Sequence, residues 1–220
     1  MSFALNRIVL ITLLDLERRD ASATVTVQAG KARRAIHLEN GQLVGADSNL
    51  KAERLGDMLV AEGTLDPLLL EPVAAEASKR GVLIGDQLVA DRLLTQADLT
   101  SALERQVALR LGAALSMRGL VAVDSLRDMA HPLKTPLRAA LFSAFRRGVP
   151  LGAIEEQLKH ASDGPISLDL ENLELGPAEL RLARRLLAGE KPEQLVAGGA
   201  PREPVLRLAG AIHALHEPGA

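Results

Sequence analysis

The sequence predicts an α+β fold, and three features carry that reading. Residues 24–46 alternate like strands around an Asn-Gly turn. A helix-turn-helix pattern occurs twice between residues 54 and 106. The last third opens its segments on Pro and keeps helical spacing. The expected layout has three parts: a small antiparallel β-meander with an N-terminal helix (1–50), a tandem helical-hairpin repeat, four-helix bundle-like (51–117), and a mostly helical, winged-helix-like C-terminal region with short strands (118–220).

Residues 5–19 read as an amphipathic helix with Ile8, Ile11, Leu14 and Leu16 among its apolar positions, although β-branched residues leave a strand open. Thr24-Val25-Thr26-Val27 then alternates, Ala29-Gly30-Lys31 turns the chain, and Ala35-Ile36-His37-Leu38 resumes the extended pattern. Glu39-Asn40-Gly41-Gln42 is a hairpin signal, because Asn and Gly both tolerate the positive φ of a type I′ turn. Residues 42–46 return as the third strand.

The repeat is the most informative feature. Arg54-Leu55-Gly56-Asp57-Met58-Leu59-Val60-Ala61 comes back 29 residues later as Leu83-Ile84-Gly85-Asp86-Gln87-Leu88-Val89-Ala90. Gly63-Thr64-Leu65-Asp66 then aligns with Arg92-Leu93-Leu94-Thr95, and Leu70 with Leu99. Each copy reads as a short helix, a tight turn and a longer helix. Asp66-Pro67 and Thr95-Gln96-Ala97-Asp98 are helix starts, the first with Pro at N1 and the second with an acid at N3. The hairpins are expected to pack as a small bundle ending near Leu115.

Residues 118–133 form a connector with a strand expected at Leu120-Val121-Ala122-Val123. Helices follow at 135–147 and 150–161, and Pro165-Ile166-Ser167-Leu168-Asp169-Leu170 alternates like a strand. Gly176-Pro177, Lys191-Pro192 and Glu203-Pro204 open the last three helices.

Composition narrows the function. The 220 residues are 47% hydrophobic and 25% charged, a globular balance, and the net charge of −2 gives no field favouring nucleic acid or anionic membrane. The basic pairs Arg33-Arg34, Arg146-Arg147 and Arg184-Arg185 read as solvated faces. With no cysteine, disulfides and thiolate chemistry are excluded, and a reducing compartment fits. Only Phe3, Phe142 and Phe145 are aromatic, too few to stack nucleic-acid bases. The apolar run Ile8–Leu14 has seven residues, against the roughly 20 of a membrane span. A cytoplasmic location without membrane insertion is the expectation.

No constellation of catalytic residues emerges. The histidines His37, His131, His160, His213 and His216 form no zinc-ligand spacing, and phosphate-loop, dinucleotide and nucleophile-elbow motifs are absent. No enzyme activity, cofactor or metal is therefore expected. A recognition helix at 203–216 would offer DNA only Arg202 and Arg207, so no nucleic-acid partner is expected either.

Two family resemblances add to this reading. Residues 8–49, with Ile36-His37-Leu38-Glu39-Asn40-Gly41-Gln42-Leu43-Val44-Gly45-Ala46 at their end, resemble the bacterial PATAN-type domain of unknown function. Helices like the one opening at Leu175-Gly176-Pro177 are also found in such proteins, so the resemblance extends over the chain. It implies an adaptor or scaffold in signalling, motility or polarity control, with a small GTPase, a response regulator or pilus or secretion machinery as partner.

Residues 54–77 and 83–106 resemble the MshEN-type N-terminal domain of type II secretion and type IV pilus ATPases, some of which bind cyclic di-GMP through two tandem copies. The resemblance implies Arg54 and Gln106 as nucleotide-binding residues. Ala77 stands where Gln is expected, Leu83 replaces Arg, and Arg92 replaces Gly. Each missing charge-assisted hydrogen bond is worth about 1.5–3 kcal/mol. A protein-binding role is therefore the first expectation, cyclic di-GMP sensing the second, and a DNA-binding regulator using the C-terminal helices the last. The Leu- and Ala-rich helices also allow self-association.

Overall fold

A computed structural model describes residues 5–126, 133–161, 166, 168–171, 173 and 175–216. Phe3, His131, Pro165 and Ser167 lie outside them. The chain is α+β, in the order α1 (Arg7–Arg18), β1 (Ala23–Ala29), β2 (Ala32–Glu39), β3 (Gln42–Ser48), α2 (Leu55–Ala61), α3 (Pro67–Arg80), α4 (Ile84–Ala90), α5 (Gln96–Leu115), β4 (Leu120–Ser125), α6 (Leu137–Arg147), α7 (Leu151–Lys159), α8 (Pro177–Leu187), α9 (Pro192–Ala197) and α10 (Arg202–Leu215).

The meander forms as its turns dictate. Asn40 and Gly41 have φ of 49° and 72°, the pair of positive values that a type I′ turn needs, and Glu39 pairs with Gln42 across it. The strand expected at 120–123 is present as β4. Its partner is β1, so the sheet is four-stranded in the order β3-β2-β1-β4.

Two expectations need correction. The buried side of α1 is Val9, Leu10, Leu13 and Leu14, whereas Ile8 is 65% and Ile11 42% exposed. An unbroken apolar run contains more than one helical stripe, and the helix start selects among them. Asn6 does so here: its Oδ1 accepts from Val9 N–H, and its Nδ2 donates to the Met117 carbonyl at 2.8 Å, fixing the rotation of α1.

The second correction concerns 165–170, where Ile166 and Leu168–Leu170 lie outside any strand. The free side of β3 is already taken by Leu133 and Thr135, whose backbones bond to Val44 and Leu43. Ile166, Leu168 and Leu170 pack instead against the main core.

That core joins α1, one face of the sheet, the second half of α5 and helices α6–α10, with Phe142 and Phe145 fully buried. Helix α10 buries nine of its fourteen residues, including Val205, Leu208 and Ile212, against α6, α7, α8 and α9. A second, smaller cluster gathers Leu55, Met58, Leu59, Leu65, Val73, Leu88, Leu94, Leu99 and Ala102 from α2–α5. Helix α5 belongs to both. Its Leu99 and Ala102 sit in the small cluster and its Leu111, Ala114 and Leu115 in the large one.

Candidate functional site

The sequence repeat is a structural repeat to the residue. Arg54 and Leu83, each in extended conformation, precede α2 and α4, which are seven residues long and 29 residues apart. Two residues past the end of each helix the chain takes a left-handed residue, Gly63 at φ 73° and Arg92 at φ 59°. The turns after them bond alike. Thr64 and Leu65 N–H donate to the Leu59 carbonyl, and Leu93 and Leu94 N–H to that of Leu88.

The starts of the longer helices are satisfied as their side chains require. Asp66 Oδ1 accepts from Leu68 N–H at 2.9 Å, and Thr95 and Asp98 form a reciprocal capping box.

Glycines 56 and 85 mark where the copies meet. A Cβ on Gly56 would lie 2.3 Å from Leu70 Cδ1 and 3.0 Å from Ile84 Cδ1. A Cβ on Gly85 would lie 2.8 Å from Leu99 Cδ1 and 3.4 Å from Leu55 Cδ2. Leu70 and Leu99 are equivalent, while Ile84 and Leu55 exchange roles. The copies are thus related by an approximate two-fold axis between α2 and α4.

The two copies are embedded differently. Helix α5 buries nine residues, five of them (Leu99, Ala102, Gln106, Val107 and Ala108) in the stretch aligned with α3. Helix α3 buries only Val73 and Ala77. Gln106, where α3 has Ala77, donates from Nε2 to the Glu53 carbonyl at 2.8 Å. Arg110 donates to the same carbonyl at 2.7 Å and to that of Ala46 in β3. Burial pulls the Arg110 guanidinium below the usual arginine value, and Asp47 and Glu53 oppose that shift. The Glu53 carboxylate is gripped through both oxygens by Arg34 of β2. Glu53 therefore fastens the repeat to the sheet.

Of the two residues implied as nucleotide-binding, Arg54 is exposed and makes no hydrogen bond or ion pair through its side chain among the described residues. Gln106 is buried and bonded to Glu53, the residue before Arg54. The structure brings the pair together, with the Gln106 amide donating to backbone.

Among the described residues the large apolar side chains left exposed are Ile8, Ile11, Leu68, Leu69, Val82, Leu83, Leu120 and Val123. Four of these belong to α3 and the turn after it, with Leu68 82% and Leu83 53% exposed. Leu68 and Leu69 lie in the first turn of α3 and Val82 and Leu83 just past its end, so the exposed apolar residues flank a helix that itself buries little.

Sequence reading missed a polar chain across three strands. Thr24 Oγ1 lies 3.0 Å from His37 Nδ1, and His37 Nε2 lies 3.0 Å from Asp47 Oδ2. The carboxylate only accepts, so Nε2–H donates to Asp47, and Nδ1 shares a hydrogen bond with the Thr24 hydroxyl. The order resembles a nucleophile, base and acid, with Thr24 wholly buried. The chain is a lock between β1, β2 and β3. The Thr24–His37 pairing in the β1–β2 register is the signal that finds it.

A groove between α5 and α6, about 250 Å³ in volume, carries Arg105 and Arg146, which are held by Glu62 and Glu179 at 3.0 and 2.8 Å. Among the described residues no three metal-ligating side chains gather, and no helix is long and apolar enough to cross a membrane. No family model, curated protein or solved structure matches the chain.

Proposed function

We propose that this chain is a non-catalytic adaptor that binds another protein in the cytoplasm, using the outer side of α3 and the turn leading to α4. The observation that carries this reading is the exposure of α3. This fourteen-residue helix buries only Val73 and Ala77, and exposed apolar residues flank it at both ends, Leu68 and Leu69 in its first turn and Val82 and Leu83 just beyond its last, which leaves its outer side for a partner to cover. The resemblance of residues 8–49 to PATAN-type proteins supports a signalling, motility or polarity partner, such as a small GTPase, a response regulator or pilus machinery.

The test is affinity capture of the tagged full chain from its native cells. Leu68→Asp/Leu83→Asp is expected to lose a stoichiometric partner that the unaltered chain and Ile8→Asp both recover, with circular dichroism unchanged. A folded double variant that recovers the same partner in the same amount sinks the reading.

Cyclic di-GMP sensing is the second reading. It is favoured by the approximate two-fold axis, which suits a two-fold symmetric ligand, and by the unpaired Arg54 beside it. Calorimetric titration decides it: heat of binding that disappears in Arg54→Ala supports a sensor, and the absence of heat from the unaltered chain removes it.

A further inference from the structure

The two edges of the sheet differ. The β3 edge is closed by the chain itself: Leu43 and Thr135 exchange backbone hydrogen bonds of 2.9 and 3.0 Å, and Leu133 N–H donates to the Val44 carbonyl at 2.9 Å. The β4 edge pairs only with β1 among the described residues. Exposed edges are ordinarily guarded by Lys, Pro, a bulge or an inward-pointing charge. The strand Leu120-Val121-Ala122-Val123-Asp124-Ser125 carries no Lys or Pro, and its single charge is Asp124. The bulge in the sheet lies between β2 and β3. Leu120 is 83% and Val123 51% exposed.

We infer that β4 pairs antiparallel with β4 of a second copy of this chain, joining two sheets into one of eight strands. The register of β1 against β4 supports that occupant. Val25 stands opposite Val123 and Val27 opposite Val121, with Val25 and Val27 in the main core and Val121 packed against it. In a continuous sheet, directly opposed residues share a face. A two-fold axis through Ala122 sets Val123 opposite Val121 of the second copy.

Each junction then reads Val25, Val123, second-copy Val121, second-copy Val27: an unbroken row of β-branched residues across the seam, made twice. Asp124 falls opposite Leu120 of the second copy, so the strand's one charge does not meet itself. The row covers Val123, which β1 alone leaves half exposed. A seam of one strand per chain is small, so the dimer is concentration-dependent, with a dissociation constant on the order of micromolar. This interface is separate from α3 and leaves both copies of that helix outward, a bivalent adaptor.

Sedimentation velocity of the full chain over a concentration series tests the inference. The expected mass rises from 23.4 kDa towards twice that value. Val123→Lys, a charge on the open edge, is expected to hold the chain at monomer mass with an unchanged circular dichroism spectrum. Ala122→Cys puts the only thiol of the chain on the axis, and oxidation is expected to cross-link it into dimers, whereas Leu68→Cys does not. Leu68→Asp/Leu83→Asp should lose its partner and still dimerise, so this inference and the adaptor reading fail separately. A chain that stays monomeric throughout overturns the inference, as does a dimer that survives Val123→Lys.

Discussion

Helices α3 and α5 hold the same place in the two copies of the repeat, start on equivalent residues and follow equivalent turns, yet only α5 reaches the main core. The local fold of each copy comes from its own residues: a left-handed turn, a helix cap, and a glycine where the neighbouring helix passes. Embedding comes from elsewhere. The second copy continues past Gln106 into Arg110, Leu111, Ala114 and Leu115, which reach the sheet and α6, whereas the first copy stops at Gly81 and turns back. Identical supersecondary units can thus serve opposite ends, one as structure and the other as surface. What separates them is burial, a property of the whole chain and not of the repeat.

The sharpest way to break this comparison is to cut a leucine from each helix. Leu111 is fully buried in the main core, so Leu111→Ala should cost about 3 kcal/mol from lost burial and the cavity left behind. Leu70 in α3 is only partly buried, and Leu70→Ala should cost about 1 kcal/mol. Urea unfolding of the two variants measures both. Equal losses would mean that α3 is as deeply embedded as α5, and the division between structural and surface copies would be gone.

A smaller effect sits in the equivalent turns. Position 63 is Gly and position 92 is Arg, and both have positive φ. A side chain in this region costs roughly 1–2 kcal/mol, part of which glycine gives back through the greater freedom of its unfolded chain. Arg92→Gly should therefore stabilise by about 0.5 kcal/mol, and Gly63→Arg should destabilise by about 1 kcal/mol. If the two exchanges have the same sign in thermal unfolding, the turns are not equivalent.

The repeat was legible because equal spacing of Leu, Gly and capping residues survives in any environment, and the meander because Asn40-Gly41 allows few other turns. Long-range partners were not. Leu120–Val123 announces a strand but not that β1, almost a hundred residues earlier, is beside it. The alternation at 165–170 announces another, yet the side of β3 is held by the backbones of Leu133 and Thr135, and Ile166, Leu168 and Leu170 are used as apolar cover of the main core. In α1 the run Ile8–Leu14 supplies apolar residues on every side, so the choice of face waits on Asn6. Gln106 carries an amide that suits a nucleotide or a carbonyl equally, and only the fold brings it the carbonyl of Glu53. Thr24, His37 and Asp47 meet through strand register, which composition does not encode.

The smallest effect distinguishes the two helix starts. In the second copy, Thr95 donates both its hydroxyl and its backbone N–H to the Asp98 carboxylate, which those bonds hold below the usual aspartate range. In the first copy the equivalent of Asp98 is the exposed Leu69, so no acid completes the cap of α3. A depressed carboxyl pKa contributes stability that is present above the unfolded value of about 3.9 and is lost as pH falls through the folded value. Asp98→Asn should therefore be less stable than the unaltered chain at pH 7, and the gap should close as the pH drops below about 4. Urea midpoints across that range measure it. A gap that stays constant with pH would assign the cap to neutral hydrogen bonding, and the two helix starts would differ in geometry alone, not in charge.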